Sequence, residues 1–335
     1  MFFIKLIIGI VVHQLVNLVL LKYRILLDDP NHLRHKKMIN NKSDIILSGG
    51  LIFLVLFLIY PISNYYLKLY IFLIFLLGLT SDLKLINVPS LRFVFQFLIV
   101  SIFVYLLNIS INFTDLKYLD LILEFKILSL LFTIICFLVL INGSNFLDGL
   151  NSLVLVYYIL VLVSLISLVK FYNLDYDLTF IFNITLILSV LLIFNYLNKS
   201  FLGDSGAYSI SSVIGYIAID FFRTNENFSV LFIIVVLWYP AFETLFSIIR
   251  KSISNYNPIY PDNSHLHHRL FNFVNLKFKN RFNANLTTAL MINTFNLLVF
   301  FIAILNYKSS IFLSLLLLFN VIIYILLYNK LRYEK

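Results

Sequence analysis

The most regular feature of the chain is a series of continuous apolar runs, each about 20 residues long, between short polar breaks. A backbone in lipid must satisfy its own hydrogen bonds, so only helices and closed barrels span a membrane. The runs lack the period-two alternation of barrel strands. The pattern predicts an all-α, polytopic transmembrane bundle of about eleven helices, with 1–335 as one integral-membrane domain. The predicted spans lie near 2–21, 45–62, 65–80, 91–108, 126–141, 153–170, 178–197, 205–222, 228–248, 288–306 and 309–328.

Composition strengthens this prediction. Apolar residues make up 61% of the 335 and charged residues 12%, and the mean hydropathy is +0.97. Soluble domains are roughly 45 to 50% apolar and 25% charged, so a soluble globular protein is excluded. The first run contains Lys5 and has no small-residue cleavage site, which predicts a retained helix rather than a signal peptide. Cys136 is the only cysteine, so no intrachain disulfide can form.

The distribution of positive charge predicts an orientation. Of the 25 Lys and Arg residues, 17 lie in loops after odd-numbered runs or in the C-terminal tail, and Arg92, at the start of the fourth run, brings the set to 18. The positive-inside rule then predicts an outside N-terminus, a cytoplasmic C-terminus, and 22–44 and 249–287 as the main cytoplasmic loops. Topology and anionic membrane lipids account for the net charge of +9, so no nucleic-acid partner is needed.

The polar clusters with chemical potential all fall on this same predicted side. They predict one shared site at the cytoplasmic surface of the membrane. The clusters are Asp28-Asp29-Pro30 through Ser48-Gly49-Gly50, Gly78 to Asp82, Asn142 to Asn151, Phe201 to Gly206, and Asp262 to Arg269.

Two carboxylates border strongly apolar helices. Asp148 and Asp204 would each cost about 2.5 to 3.5 kcal/mol at the bilayer centre, so packing alone does not explain them. An interfacial helix cap is the structural alternative, and Asp204 before Ser205-Gly206 fits an N-cap. Paired Gly49-Gly50 has an ordinary explanation in close helix packing.

Three histidines and an arginine lie together in the run His265-Leu266-His267-His268-Arg269. On a helix, His265 and His268 share a face that His267 does not. Imidazoles suit Zn2+, but no cysteine is near and an arginine is adjacent, which favours phosphate binding. A solvated basic loop is the third alternative. Farther upstream, Pro240 predicts a kink that tilts the end of its helix toward the histidines.

The ordered motifs resemble those of a family, the polyprenyl-phosphate N-acetylhexosamine-1-phosphate transferases of glycosyltransferase family 4. The likeness is greatest to the bacterial undecaprenyl-phosphate GlcNAc-1-phosphate transferase branch. The motifs that carry it are Asp29-Pro30 with Arg34-His35-Lys36 and Ser48-Gly49-Gly50, Asn142-Gly143-Ser144-Asn145-Phe146-Leu147-Asp148-Gly149, Phe201-Leu202-Gly203-Asp204-Ser205-Gly206, and Pro261-Asp262 with His265 to Arg269.

The resemblance implies transfer of a sugar-1-phosphate from a UDP-N-acetylhexosamine to undecaprenyl phosphate, releasing UMP, at the cytoplasmic face of a bacterial inner membrane. It implies Mg2+, with Mn2+ as an alternative, held by Asp204 and Asn145, since Mg2+ prefers hard oxygen ligands. Asp204, Asp82 and His268 are expected to be catalytic, Asp82 through positioning or proton removal. The expected substrate-binding residues are Asn142, Asp148, Asn151, Phe201, His265, His267 and Arg269, with Phe201 on uracil and Asn151 on its edge.

Two positions depart from the family pattern. Ser81-Asp82 replaces the usual aspartate pair, and Asn151-Ser152 replaces a common aspartate-glycine. They indicate a divergent subgroup, and a catalytically weakened homologue acting as a scaffold is one alternative function. A polytopic transporter or flippase is another, although inverted repeats and charges at the midplane are not visible in the sequence. The identity of the sugar, the glycan pathway and the oligomeric state, a homodimer included, stay open.

Overall fold

The protein is a bundle of helices, seen here in a computed structural model that describes residues 2–27, 46–60, 64–225, 228–254, 262, 264–278 and 280–333. Within these ranges the only β pairing consists of isolated bridges at Leu27–Ile46 and Ile46–Ser200. The motifs Asp28-Asp29-Pro30 and Arg34-His35-Lys36 lie outside the described residues. The helices are α1 (Phe2–Tyr23), α2 (Gly49–Ile59), α3 (Tyr65–Asp82), α4 (Pro89–Leu106), α5 (Lys117–Leu123), α6 (Lys126–Leu147), α7 (Leu153–Tyr172), α8 (Thr179–Tyr196), α9 (Gly203–Thr224), α10 (Val230–Val236), α11 (Trp238–Ile253), α12 (Leu266–Asn275), α13 (Arg281–Leu305) and α14 (Ser310–Tyr333).

Eight of the described helices are long and apolar enough to cross a membrane, and the bent pair α10–α11 would make nine. This confirms a polytopic helical membrane protein. Each of the eleven predicted runs coincides with a helix or with that bent pair. However, α2 has 11 residues and α9 is less apolar than a typical span, so the count of eleven stays a prediction, as does the orientation.

Helix α9 lies at the centre of the bundle, which explains its modest hydropathy. It packs against α2, α3 and α6, and most of its residues are buried. Because it faces neighbouring helices rather than lipid, it needs small residues more than large apolar ones. Gly50 and Gly78 provide that closeness, since a Cβ on either would come within 2.6 Å of Ser205 or Gly206 atoms. The packing interpretation of Gly49-Gly50 is therefore confirmed.

The predicted kink near Pro240 is present as a sharp break. Helices α10 and α11 meet at Leu237 with a bend of 73°. Pro240 lies in the first turn of α11, where the missing N–H costs no intrahelical hydrogen bond. After the break, α11 packs closely on α6, since a Cβ on Gly143 would lie 2.0 Å from the Pro240 carbonyl oxygen. The bend carries the end of α11 to the histidine motif.

Two predicted loop segments are partly helical. Helix α6 continues to Leu147 rather than ending at 141. Within the helix, the Asn142 side chain donates a hydrogen bond to the Leu138 carbonyl oxygen. The segment 249–287, predicted as a loop, contains the end of α11, all of α12 and the start of α13. Asn142 also donates to Gln96 of α4, so a neighbouring helix supplies a hydrogen-bond partner where α6 continues past residue 141. The cytoplasmic location of 249–287 stays a prediction.

Candidate functional site

Five separate parts of the chain meet around one cavity of about 530 Å³. Helices α4, α6, α9 and α11 form its walls, and the start of α12 closes one end. The predicted site residues Asn142, Asn145, Asp148, Asp204, His265 and His268 all line it. Asn142 and Asn145 are three positions apart on α6, so they share a helix face. The structure thus brings together motifs that are more than 100 positions apart in sequence.

Asp204, in the first turn of α9, accepts hydrogen bonds from three side chains. Its Oδ1 accepts a hydrogen bond of 2.8 Å from Asn145 Nδ2, and its Oδ2 accepts from Ser81 Oγ at 2.5 Å and Arg92 Nη1 at 3.0 Å. Arg92 also donates to Ser81. The arginine side chain is 22% exposed and that of Asp204 is 27% exposed, so their ion pair is shielded but reachable from the cavity.

Asp82 has a different position from the other predicted catalytic residues. Its carboxylate caps the start of α9, where it accepts from the backbone N–H groups of Asp204 at 2.8 Å and Ser205 at 3.1 Å and from Ser205 Oγ at 2.6 Å. The backbone of Gly203 has φ +73°, and a Cβ there would lie 2.8 Å from an Asp82 oxygen. A negative group at a helix N-terminus is stabilising. The geometry favours positioning over proton removal for Asp82.

The Asp204–Asn145 contact is compatible with a hard divalent cation. Rotating the Asn145 amide by a half-turn places its oxygen beside Asp204, and the two orientations differ only in the assigned hydrogen bonds. A carboxylate and an amide oxygen are ligands that Mg2+ accepts when phosphates and waters complete its shell. The described residues hold no group of three or more His, Cys, Asp or Glu side chains that could bind a metal by themselves.

The histidine motif closes the cavity as its spacing predicts. His265 precedes the first turn of α12, and His265 and His268 line the cavity while His267 does not. All three rings are buried and lie against one another, with centroids 4.3 to 5.8 Å apart, and the His265 and His267 rings are stacked. The Phe146 ring packs against His265 at a tilt, with centroids 4.7 Å apart. These ring contacts hold the histidines in place.

Asp262 anchors the segment that leads into the histidines. It forms an ion pair with Arg250 of α11 at 2.7 Å and lies 3.6 Å from His265 Nε2. Burial on its own would raise the Asp262 pKa, but the hydrogen bond from Arg250, with the charges of His265 and Arg250, lowers the pKa below its usual value near 3.8. Asp262 therefore stays ionised at neutral pH and holds this segment on α11.

Four of the predicted substrate-binding residues do not line the cavity. Asn151 is buried and donates from its side chain to the Asn195 carbonyl and to Asn198. Phe201 packs in a small apolar cluster with Leu20, Leu26, Ile46 and Leu47. Arg269 lies over the ring of Tyr328, 4.3 Å from its centroid, and His267 packs near Gly149. A uracil-stacking role for Phe201 would require its ring to leave that cluster, and these four roles stay predictions.

Residues that the sequence analysis did not assign to the site also belong to it. Arg92 and Gln96 of α4 line the cavity, and Gln96 accepts from Asn142 Nδ2 at 2.9 Å. Glu243 of α11 lies behind the wall and contacts His265 Nδ1 at 2.9 Å. A charged or amide side chain within an apolar run is costly in lipid, and that signal marks all three in the sequence.

One wall of the cavity is apolar. It consists of side chains from α4, α6 and α11, and several of them are half exposed on the outside of the bundle. The exposed fractions are 48% for Phe93, 56% for Ile135, 46% for Leu245 and 44% for Ile248. The cavity therefore has exposed apolar side chains on one side and ionic groups on the other.

Comparison with known proteins agrees with this arrangement. Residues 64–222 match the model of the family described as glycosyl transferase family 4. The chain is 43% identical over 82 residues to a probable undecaprenyl-phosphate N-acetylglucosaminyl 1-phosphate transferase of Bacillus subtilis, covering 22% of the chain and 21% of the relative. It is 29% identical over 172 residues to a decaprenyl-phosphate N-acetylglucosaminephosphotransferase of Mycolicibacterium smegmatis, covering 43% and 41%.

A third relative is the undecaprenyl-phosphate alpha-N-acetylglucosaminyl 1-phosphate transferase of Thermotoga maritima, 33% identical over 70 residues, covering 21% of the chain and 23% of the relative. The matched segments thus span less than half the length of each of these relatives. The matched range includes α4, α6 and most of α9, which supply Arg92, Asn142, Asn145 and Asp204 to the cavity. Through residues 64–222, just under half of its length, the chain is therefore similar to glycosyl transferase family 4.

Proposed function

We propose that the protein transfers a sugar-1-phosphate from a UDP-N-acetylhexosamine to a polyprenyl phosphate such as undecaprenyl phosphate, releasing UMP. The observation that carries this proposal is the cavity, where Asp204, Asn145, Arg92 and two histidines, His265 and His268, meet a wall of exposed apolar side chains. The three relatives are named for polyprenyl-phosphate acceptors and an N-acetylglucosamine phosphate group. A site that is both ionic and lipid-bordered suits a phosphate attached to a long apolar chain.

The acceptor would lie along the apolar wall. Its isoprenoid chain would contact Phe93, Ile135 and Ile248, and its phosphate would reach the polar end of the cavity near Arg92. A planar guanidinium can hold two phosphate oxygens at once, which fixes orientation as well as charge. The donor diphosphate would lie toward His265 and His268, which line the same end.

The reaction joins an oxygen of the acceptor phosphate to the phosphorus that carries the sugar. As that bond forms, the bond from this phosphorus to the UMP oxygen breaks, and UMP leaves with the electron pair. The acceptor phosphate is largely ionised at neutral pH, because its second pKa is about 6, so a strong base is not required. Catalysis then depends on positioning and on neutralising phosphate charge, which Arg92 and the histidines supply.

Asp204 and Asn145 are the residues that would hold Mg2+ or Mn2+, and Asp148 lies on the same wall. A divalent cation there would neutralise charge on the diphosphate. We also propose that the site faces the cytoplasm of a bacterial inner membrane, since the predicted charge bias places the motifs on that side. The product would be the lipid-linked first sugar of a cell-surface glycan.

The direct test uses purified protein in detergent with Mg2+, undecaprenyl phosphate and a panel of UDP-sugars, and it follows UMP release. We expect UMP only when both substrates are present, with an N-acetylhexosamine donor preferred. Absence of UMP from every donor, while a known transferase works in the same mixture, would remove the enzyme proposal and favour the scaffold alternative. Movement of labelled lipid or sugar across vesicles without UMP would favour a transporter.

Ser81→Asp tests whether this chain is a weakened branch of the family. Ser81 donates to Asp204 and accepts from Arg92, so a carboxylate there would add negative charge beside the proposed cation ligand. If the serine weakens the chemistry, the variant should turn over faster. Ser81→Ala is the matched control, because it removes the hydroxyl without adding charge. A rate that is unchanged in Ser81→Asp would show that this branch does not use an aspartate pair.

A further inference from the structure

Glu243 is the most deeply buried carboxylate beside the cavity, and the reaction proposed above does not use it. Its side chain is 1% exposed on α11. One of its oxygens, Oε1, contacts three groups: His265 Nδ1 at 2.9 Å, the Tyr324 hydroxyl at 2.8 Å and the Leu266 N–H at 3.3 Å. The other oxygen, Oε2, is buried with no hydrogen-bond partner in the described part of the chain.

A buried carboxylate in such surroundings is costly unless a partner compensates its charge. The imidazole of His265 is the only titratable nitrogen that the described structure places within salt-bridge distance of Glu243. The next cations along this wall, Arg250 and Lys251, are held elsewhere: Arg250 pairs with Asp262, and Lys251 lies over the Phe146 ring. The geometry therefore couples Glu243 to His265 in particular.

The orientation of the ring follows from this contact. Because Nδ1 is occupied by Glu243, the ring atom that His265 offers to the cavity is Nε2, which lies 3.6 Å from Asp262 Oδ1. The ring of Phe146 packs against it, with centroids 4.7 Å apart, and restricts its rotation. When the imidazole carries both protons, Nε2–H can donate to a phosphate oxygen while the buried carboxylate balances the charge.

We propose that Glu243 is a positioning residue that acts through His265. Its carboxylate orients the imidazole and balances a positive charge on it, so that His265 can bind the diphosphate of the nucleotide donor. This inference rests on the proposed function, and it names a residue behind the site rather than a group that touches substrate. Hydrogen-bonding carboxylates behind a functional histidine typically contribute a factor of about ten to a hundred in affinity or activity.

A purely structural role is the competing explanation, because Glu243 also accepts from the first N–H of α12 and from Tyr324 of α14. Glu243→Gln separates the two roles. Glutamine has nearly the same shape and keeps an oxygen for the helix N–H and the tyrosine, but it has no charge. Tyr324→Phe is the matched control, since it removes the second donor to the same oxygen and leaves the histidine contact intact.

The experiment measures UDP affinity by calorimetry for the full-length protein in detergent, kcat/KM for UMP release, and the thermal unfolding midpoint from Trp238 fluorescence. The set consists of wild type, Glu243→Gln, His265→Asn, the double variant and Tyr324→Phe. We expect Glu243→Gln and His265→Asn each to weaken UDP binding and kcat/KM about tenfold or more. The double variant should be no worse than His265→Asn alone, and Tyr324→Phe should bind UDP like the wild type.

Each other outcome has a definite meaning. Wild-type affinity and kcat/KM in Glu243→Gln would overturn the inference, as would losses that multiply in the double variant, because residues that act through one another are not additive. If Glu243→Gln loses UDP binding and its unfolding midpoint also falls, the role of Glu243 is structural and the inference is overturned. If the wild type neither binds UDP nor releases UMP, the proposed function is wrong. If the wild type does both and Glu243→Gln does both equally well, only the role of Glu243 is wrong.

Discussion

Asp82→Ala gives the clearest physical test of how the site is built. In the structure the Asp82 carboxylate accepts three hydrogen bonds at the start of α9, two from backbone N–H groups and one from the Ser205 hydroxyl. Alanine removes all three. Loss of a helix cap costs about 0.5 to 2 kcal/mol, and a hydrogen bond to a charged group contributes about 1.5 to 3 kcal/mol. We expect Asp82→Ala to destabilise the protein by about 3 kcal/mol.

Asp82→Asn should cost less, about 1 kcal/mol, because the amide keeps one acceptor oxygen for the α9 backbone. Both variants should also lower turnover, since one of the capped N–H groups belongs to Asp204 itself. The loss should be greater for alanine than for asparagine, in the same order as the loss of stability. If Asp82 instead removes a proton, turnover should fall in both variants while stability stays unchanged.

The assay is thermal unfolding in detergent followed by Trp238 fluorescence, together with UMP release at a temperature well below the midpoint. Asp177→Ala is the matched control: this exposed carboxylate caps the start of α8 by accepting from Thr179, away from the cavity. It should lower the midpoint slightly and leave turnover unchanged. An Asp82→Ala protein with a wild-type midpoint would refute the capping argument.

Three further outcomes follow from the packing and charges of the site. Asp204→Asn should abolish UMP release while the protein still folds; wild-type rates would remove Asp204 from the proposed cation site. Gly143→Ala should destabilise the protein by about 1 to 3 kcal/mol, because its Cβ would lie 2.0 Å from the Pro240 carbonyl oxygen, and an unchanged midpoint would contradict this close packing of α6 and α11. The pKa of Asp262 is lowered in the folded protein, so its ion pair with Arg250 should stabilise the fold above pH about 4 and lose this effect as pH falls through the lowered pKa. The difference between wild-type and Asp262→Asn midpoints should therefore shrink between about pH 7 and pH 3, and a constant difference would count against the pair.

Much of the fold follows from the sequence because lipid imposes a simple rule on it. Long apolar runs must be helices in a membrane, and each of the eleven predicted runs has a helix or a bent helix pair in the structure. The weakest prediction concerned boundaries. The apolar run ends at 141, where polar residues begin, whereas α6 continues through Asn142 and Asn145 to Leu147. Polar residues do continue a helix where neighbours supply their hydrogen bonds, and sequence alone does not show those neighbours.

The site divides in a similar way. Residue type and order were enough to single out Asn142, Asn145, Asp148 and Asp204 on the cavity wall, and helical spacing was enough to place His265 and His268 together. The sequence did not reveal which of these side chains contact one another. The contact between Arg92 and Asp204 depends on how α4 packs near α9. The contact between Glu243 and His265 depends on how α11 bends toward α12.

The sequence by itself determined that this protein is a helical membrane bundle and which motifs are candidates for its chemistry, because the cost of polar groups in lipid makes both visible along the chain. Only the tertiary structure decided which side chains face the cavity and which support it from behind. Asp82 became a helix cap, while Asn151, Phe201 and Arg269 lie away from the wall. The physical reason is that direction and distance are set by helix packing, and packing depends on close contacts at residues such as Gly78 and Gly143 rather than on the motifs themselves.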